Sequence, residues 1–296
     1  MKKQKINLIT KELSRIANSL EKTNSKKNNK ANFNLNSAFV WETPSLSFRP
    51  VKNINSIEIE LLKGIDSQKD ILMKNTESFS KGFHGNNVLL WGAKGTGKSS
   101  LVKSAFSKIN FKNKFLKLIE IHREDLESLP KLLHKLVESK FRFIIFCDDL
   151  SFNEKDTSFK SLKAVLEGGI EGKPENVLFY ATSNRRHLMP RTMNENIEHN
   201  SINPSENLNE NVSLSDRFGV WIGFHNLSQE TYLEIIDSYV NYFELNNSKI
   251  DIHKSALSWS VQRGARSGRV AWQYIVFLAS QLEIKLSFKK QNNFQG

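Results

Sequence analysis

Apolar positions in this chain change their spacing along its length. Ile6, Ile9, Leu13, Ile16 and Leu20 recur three and four residues apart with polar residues between them. That spacing predicts a short amphipathic helix. A Lys/Asn/Ser-rich stretch over 21–37 follows and reads as a linker. Trp41 to Pro50 reads as extended, and Ile57 to Leu62 opens a helical stretch. From Asn86 short apolar runs alternate with helical patterns. The predicted strands are Val88–Trp91, Phe115–Ile121, Phe143–Phe146, Val177–Ala181 and Val220–Phe224. Between them lie predicted helices from Lys98 to about Ser107, Leu126–Ser139 and Ser158–Glu167, and a polar, Asn-rich interruption from about Pro190 to Asn211.

Fully apolar strands separated by helices predict an α/β fold with a doubly wound parallel sheet. After Ser228 only the helical period remains, over Gln229–Glu244, Ile252–Gln262 and Gly268–Leu286, with Ser228 and Asp251 as N-caps. The expected organisation is a basic helix and linker over 1–37, a nucleotide-binding α/β domain over 38–226, a small all-helical lid over 227–288 and a tail over 289–296.

Composition changes this picture little. The net charge is +12, and residues 1–30 carry nine Lys/Arg against two Glu, so more than half of the excess sits in the arm. Such an arm could grip nucleic-acid phosphates. Joint enrichment in Lys, Asn, Ile and Phe is equally what AT-rich coding produces. No run of apolar residues is long enough to span a bilayer, so no membrane association is expected. Lys11, Glu12 and Arg15 break any apolar region after the basic start, which argues against a secretory signal. The single cysteine, Cys147, forms no intrachain disulfide, fits a cytoplasmic protein and reads as a small core residue. The scattered histidines give no zinc-ligand spacing.

The chemistry lies in Gly92-Ala93-Lys94-Gly95-Thr96-Gly97-Lys98-Ser99, with Ser100 beside it, between a predicted strand and a predicted helix. This is the GxxxxGK[ST] phosphate loop in its required context. Glycines let the backbone N–H groups turn inward as an anion nest at the positive helix end. Lys98 can reach the β- and γ-phosphates of ATP, and the Ser99 hydroxyl can ligate Mg²⁺. Asp148 ends an apolar strand, where a carboxylate would hold Mg²⁺ through water. Asp149 stands where a base could orient the attacking water; alternatively both aspartates cap the strand end. Asn153-Glu154-Lys155-Asp156 has the residues of a guanine motif in the wrong order, which disfavours a GTPase.

With these motifs the chain resembles the AAA+ ATPases over roughly residues 60–280. Gly64-Ile65-Asp66 looks like the segment lining the adenine pocket, which implies a nucleotide contact for Ile65. Ala181-Thr182-Ser183-Asn184 ends a strand as sensor 1 does, which implies that Asn184 places the lytic water. Ser215-Asp216-Arg217-Phe218-Gly219 is similar to the segment carrying the arginine finger, and Gly268-Arg269-Val270-Ala271 looks like sensor 2. Arg217 could instead be a structural ion-pair partner, and Arg263 and Arg266 compete with Arg269. Arg185 and Arg186, beside Asn184, could meet phosphate or simply solvate a loop. The stretches Asn86–Ser100, Phe146–Phe152, Tyr180–Leu188 and Arg266–Gln273 are similar to an uncharacterised bacterial AAA+ group, the domain-of-unknown-function family numbered eight-one-five.

The resemblance implies ATP hydrolysis with Mg²⁺, coupled to lid movement or to assembly of a homo-oligomer on an unidentified partner. Two other readings stay open: a DNA-associated factor of helicase-loader type, and a switch that hydrolyses slowly because Asp149 replaces the family's usual Glu. Ile119-Glu120-Ile121-His122-Arg123 lacks the aromatic–hydrophobic–glycine pore loop, so polypeptide threading is not expected.

Overall fold

The computed structural model describes residues 14–15, 32–152, 156, 158–168, 173–188, 214–246 and 250–288. Most of the N-terminal arm, the whole 190–211 stretch and the tail over 289–296 lie outside these residues. So does the expectation of an amphipathic helix over the first twenty positions, apart from the helical pair Ser14 and Arg15.

Seven strands form one sheet in the order β2-β1-β4-β5-β6-β3-β7. They are β1 (Ala38–Glu42), β2 (Ser47–Val51), β3 (Val88–Gly92), β4 (Leu116–Glu120), β5 (Arg142–Cys147), β6 (Val177–Ser183) and β7 (Val220–Phe224). Every pairing is parallel except β1 with β2. Burial of both sheet faces explains the unbroken apolar runs. Successive side chains in β5 and β6 point to opposite faces. Phe143, Ile145, Cys147, Val177, Phe179 and Ala181 join one core cluster. Ile144, Phe146, Leu178 and Tyr180 join the other.

Helices α1 (Asp66–Ser80) and α2 (Lys98–Lys112) cover the second face through Leu72, Phe79, Leu101, Ala105 and Phe106. Helices α3 (Leu129–Leu136) and α4 (Ser158–Glu167) cover the first through Leu129, Leu132, Leu136 and Leu162. Past β7, helices α5 (Gln229–Phe243), α6 (Ile252–Gln262) and α7 (Gly268–Gln281) build a third cluster around Tyr232, Ile236, Tyr274 and Ile275. Ser228 caps α5 by accepting from the Thr231 N–H, and Asp251 caps α6 by accepting from the Lys254 N–H.

Four expectations are corrected. Trp41 to Pro50 is a β-hairpin whose strands meet at a turn, with the Leu46 N–H donating to the Thr43 carbonyl at 3.2 Å. Near Ile57–Leu62 there is only a 3₁₀ turn, Ile59–Leu61, and the helix proper is α1. The segment over 126–139 divides into a 3₁₀ turn, Arg123–Ser128, and α3, because Pro130 lacks an N–H and suits the opening of a helix. The last helix stops at Gln281, and Phe288 returns to stack on Trp272 at 5.3 Å.

Candidate active site

In a parallel sheet all strands deliver their C-terminal ends to one edge, where ligands bind beside a topological switch. Here β3 lies between β6 and β7 although β4 follows it in sequence. The phosphate loop therefore opens beside the ends of β5 and β6, which carry Asp148 and Asn184.

Three glycines shape the loop. Gly92 has φ +132°, and a Cβ there would sit 1.9 Å from the Phe224 carbonyl oxygen. Gly95, at φ +75°, backs onto Ser267 and Arg269. Gly97, at φ +97°, is the N-cap of α2 and makes no side-chain cap, so the first-turn N–H groups are left for an anion. The loop is braced by the Ala93 N–H donating to the Phe224 carbonyl at 3.2 Å and the Thr96 hydroxyl donating to the Ala93 carbonyl at 2.8 Å. Lys94 is exposed on its outer rim, and Ser100 is half-buried in the first turn of α2. Ile65 is buried at the other side of the loop, its Cδ1 at 3.8 Å from a Cβ built on Gly97.

Lys98 is buried and donates from Nζ to the Gly92 carbonyl at 2.9 Å, the Ala93 carbonyl at 2.7 Å and Asn184 Oδ1 at 3.3 Å. Burial lowers its pKa; Asp148 and Asp149 oppose this, and Arg269 and Lys94 add to it. Asn184 also donates from Nδ2 to Asp149 Oδ1, so one amide joins the lysine to the exposed carboxylate. Ser99 Oγ donates to Asp148 Oδ1 at 2.5 Å.

Sequence reasoning passed over Thr182, although it lies in the quoted sensor segment. Its hydroxyl donates to Asp148 Oδ1 and accepts from the Asp149 N–H at 2.9 Å. The main chain of Asp149 is left-handed, at φ 53°. A hydroxyl-bearing residue two positions before Asn184, at the end of an apolar strand, was the available signal.

The arginines separate. Arg269 begins α7, its N–H donating to the Gly95 carbonyl at 3.3 Å, which brings the helical lid onto the phosphate loop. Of its competitors, Arg263 lies over the Trp259 ring at 4.9 Å. Arg266 lines a cleft of about 380 Å³ with Lys94, Asn226 and Ser267. Arg186 stacks over Trp91 at 5.3 Å and Arg185 is exposed. Arg217 is not gathered into this group; its guanidinium meets Glu167 of α4 at 2.9 Å. Cys147 is buried and burial pushes its thiol pKa up, which makes it an inert core residue.

The residues fit ATP and Mg²⁺. The glycines form a cradle with no side chains, α2 offers an uncapped N-terminus, and Lys98 supplies a cation. Ser99 and Asp148 share a hydrogen bond and present the oxygen donors that a hard cation such as Mg²⁺ would take. Among the described residues no helix is long and apolar enough to cross a membrane.

No curated protein matches the chain. The Aeropyrum pernix ORC1 protein, solved in complex with DNA, is similar to it in fold, with TM-score 0.54 and 13% identity over 77% of this chain and 63% of that one. A structure of the Thermotoga maritima RuvB Holliday junction branch migration motor gives TM-score 0.42 and 13% identity over 77% of this chain and 85% of that one. The profile of a family described as "Protein of unknown function (DUF815)" matches residues 34–282. With that match and the AAA+ P-loop NTPase fold of its sheet, the chain belongs to this family.

Proposed function

We propose that the chain is an Mg²⁺-dependent ATPase that couples the state of its nucleotide to the angle of the helical lid or to assembly of a homo-oligomer. The observation that carries this reading is the continuous set Lys98–Asn184–Asp149 beside Ser99–Asp148, all at the end of the phosphate loop. The buried thiol suits the reducing cytoplasm. The segment 227–288 acts as the lid, and 38–226 as the body that holds the nucleotide.

In this reading the α2 N-terminus and Lys98 bind the β- and γ-phosphates, and Ile65 lines the adenine side. Lys98 exchanges its contacts with the Gly92 and Ala93 carbonyls for phosphate oxygens. Ser99 and Asp148 hold Mg²⁺, which when bound neutralises charge on the phosphate oxygens. Asn184 orients a water, and the Asp149 carboxylate takes its proton as the water oxygen attacks the γ-phosphorus and ADP leaves. Arg269 follows the lid onto the γ-phosphate, since its N–H already contacts Gly95. Arg217 serves a neighbouring subunit's nucleotide.

A slow-hydrolysing switch is the second reading, favoured by one feature. The Asp149 side chain is a methylene shorter than the Glu usual in AAA+ ATPases, and its Oδ1 is already held by Asn184.

Calorimetry of ATP binding combined with steady-state turnover tests both. Lys98→Ala should abolish binding. Asp149→Asn should bind ATP and lose turnover, and Asp148→Asn should weaken the dependence on Mg²⁺. ATP binding by Lys98→Ala equal to the parent's would end the phosphate-loop assignment. Tight binding with negligible turnover by the parent would favour the switch.

A further inference from the structure

The loops entering β3, β4 and β5 lie at the edge of the sheet opposite the phosphate loop. Each carries phenylalanine beside lysine: Lys81-Gly82-Phe83, Phe111-Lys112-Asn113-Lys114-Phe115 and Lys140-Phe141-Arg142. Of the four exposed phenylalanines among the described residues, three are here: Phe83 at 67%, Phe111 at 50% and Phe115 at 54% exposure. Exposing one such ring is ordinary, whereas gathering three at one pole marks a contact surface.

The three loops touch one another. Asn113 Nδ2 donates to the Ser80 carbonyl at 2.5 Å, next to the first loop. The Phe115 carbonyl accepts from the Arg142 N–H at 3.0 Å, and the Phe115 and Phe141 rings lie 5.7 Å apart. A Cβ on Gly82 would sit 3.5 Å from the Arg142 guanidinium. Lys81 is paired with Glu77 at 2.7 Å. Among the described residues Lys112, Lys114 and Lys140 have no ion-pair contact, and Lys114 and Lys140 lie over the Phe111 and Phe141 rings at 5.8 and 5.5 Å, which sets cations beside rings.

We propose that this pole binds single-stranded nucleic acid, the rings receiving bases and the three lysines receiving phosphates. Lys112 and Lys114 lie between the rings of Phe111 and Phe115, and Lys140 precedes Phe141, so cations are interleaved with rings as phosphates are with bases along a strand. A bilayer would call for rings and cations segregated by depth, with aromatic bodies below the headgroup level. A duplex hides its base faces in the stack and leaves exposed rings nothing to cover. The loops span β4, β5, β6 and β3, roughly 14 Å at ~4.8 Å per strand, which suits a few nucleotides. Phe111 and Lys112 end the helix that Lys98 begins, so α2, 15 residues and roughly 22 Å long, separates the two sites. The inference stands independently of ATP hydrolysis.

The test uses the full chain and fluorescence anisotropy with labelled oligothymidylate and oligouridylate of about twenty nucleotides across a salt series. Phe111→Leu with Phe115→Leu keeps apolar surface and removes the stacking platforms. It should weaken binding to either oligonucleotide by roughly tenfold or more. Replacing Lys112, Lys114 and Lys140 by Gln should weaken binding and flatten the salt slope by about 0.7 per lost phosphate contact. Both variants should keep the parent's melting temperature and ATP turnover. Preference for one oligonucleotide identifies the strand as DNA or RNA and supports the proposal either way. Binding by both variants within twofold of the parent would assign any affinity to another region and overturn it. Sedimentation with phosphatidylserine vesicles, with no oligonucleotide binding by the parent, would overturn it in favour of a membrane surface.

Discussion

The Thr182 hydroxyl accepts a hydrogen bond from the Asp149 N–H at 2.9 Å and donates one to Asp148 Oδ1. One side chain of β6 thus fixes two consecutive aspartates that follow β5. The Asp148 carboxylate and the Asp149 main chain are held by the same atom. The Leu150 N–H extends the link by donating to the Thr182 carbonyl at 2.7 Å.

Thr182→Val keeps the volume of this buried residue and removes both hydrogen bonds. Leaving the Asp149 N–H and Asp148 without this partner should cost about 1–3 kcal/mol of stability. The Mg²⁺ concentration for half-maximal turnover should rise several-fold, with ATP binding less affected. Thr182→Ser restores the oxygen and should recover the Mg²⁺ dependence. If Thr182→Val titrates with Mg²⁺ like the parent, the hydroxyl does not position Asp148 for the metal.

The legible parts of the sequence were those where one periodicity or one motif acts alone. The strand Val220–Phe224 and the helix Ile252–Gln262 have the bounds expected of them, because both carry a clear pattern and flanking turn or cap residues. The hairpin of β1 and β2 was read as one extended piece, since Thr43 to Leu46 holds no glycine and the turn places Leu46 at φ 45°. The helical stretch expected to open at Ile57–Leu62 gave no bounds for helix α1, because its fully buried apolar positions are only Leu72 and Phe79, too few for a strong helical stripe. At the site, the phosphate-loop motif pointed to Lys98, Ser99 and Asp148 and the AAA+ resemblance to Asn184, and hydrogen bonds link Ser99 to Asp148 and Lys98 to Asn184. Thr182 escaped because its two bonds cross from β6 to residues more than thirty positions away. Glu167 as the partner of Arg217 escaped for the same reason.

Two glycines with positive φ should respond differently to the same change. At Gly92 a Cβ would meet the Phe224 carbonyl oxygen at 1.9 Å, and φ +132° is unfavourable for any L side chain. Gly92→Ala should therefore cost about 3 kcal/mol or more, through strain and displacement of β7. Gly264 has φ +65° with nothing within 4 Å of the added atom. Gly264→Ala should cost only about 1 kcal/mol, the left-handed penalty alone. Denaturant unfolding of the two variants checks this, and equal losses would mean that the Phe224 contact relaxes freely.

Arg217 has two competing roles that kinetics can separate. Its guanidinium pairs with Glu167 at 2.9 Å, with side chains 46% and 35% exposed. A pair so exposed contributes about 0–1 kcal/mol, so it does not by itself hold the fold. If Arg217 reaches the γ-phosphoryl oxygens of ATP on a neighbouring subunit, its removal should leave ATP binding intact and lower turnover by ~10³–10⁵. Glu167→Gln is the control: a purely structural arginine would make the two variants alike. A finger held back by Glu167 would leave Glu167→Gln as active as the parent or more so. Mixing Arg217→Ala with Lys98→Ala should then restore part of the activity, because the first supplies intact phosphate loops and the second intact fingers. If mixed assemblies are shown to form and stay inactive, the trans role fails. Normal turnover by a chain that remains monomeric with ATP at high concentration would end it as well.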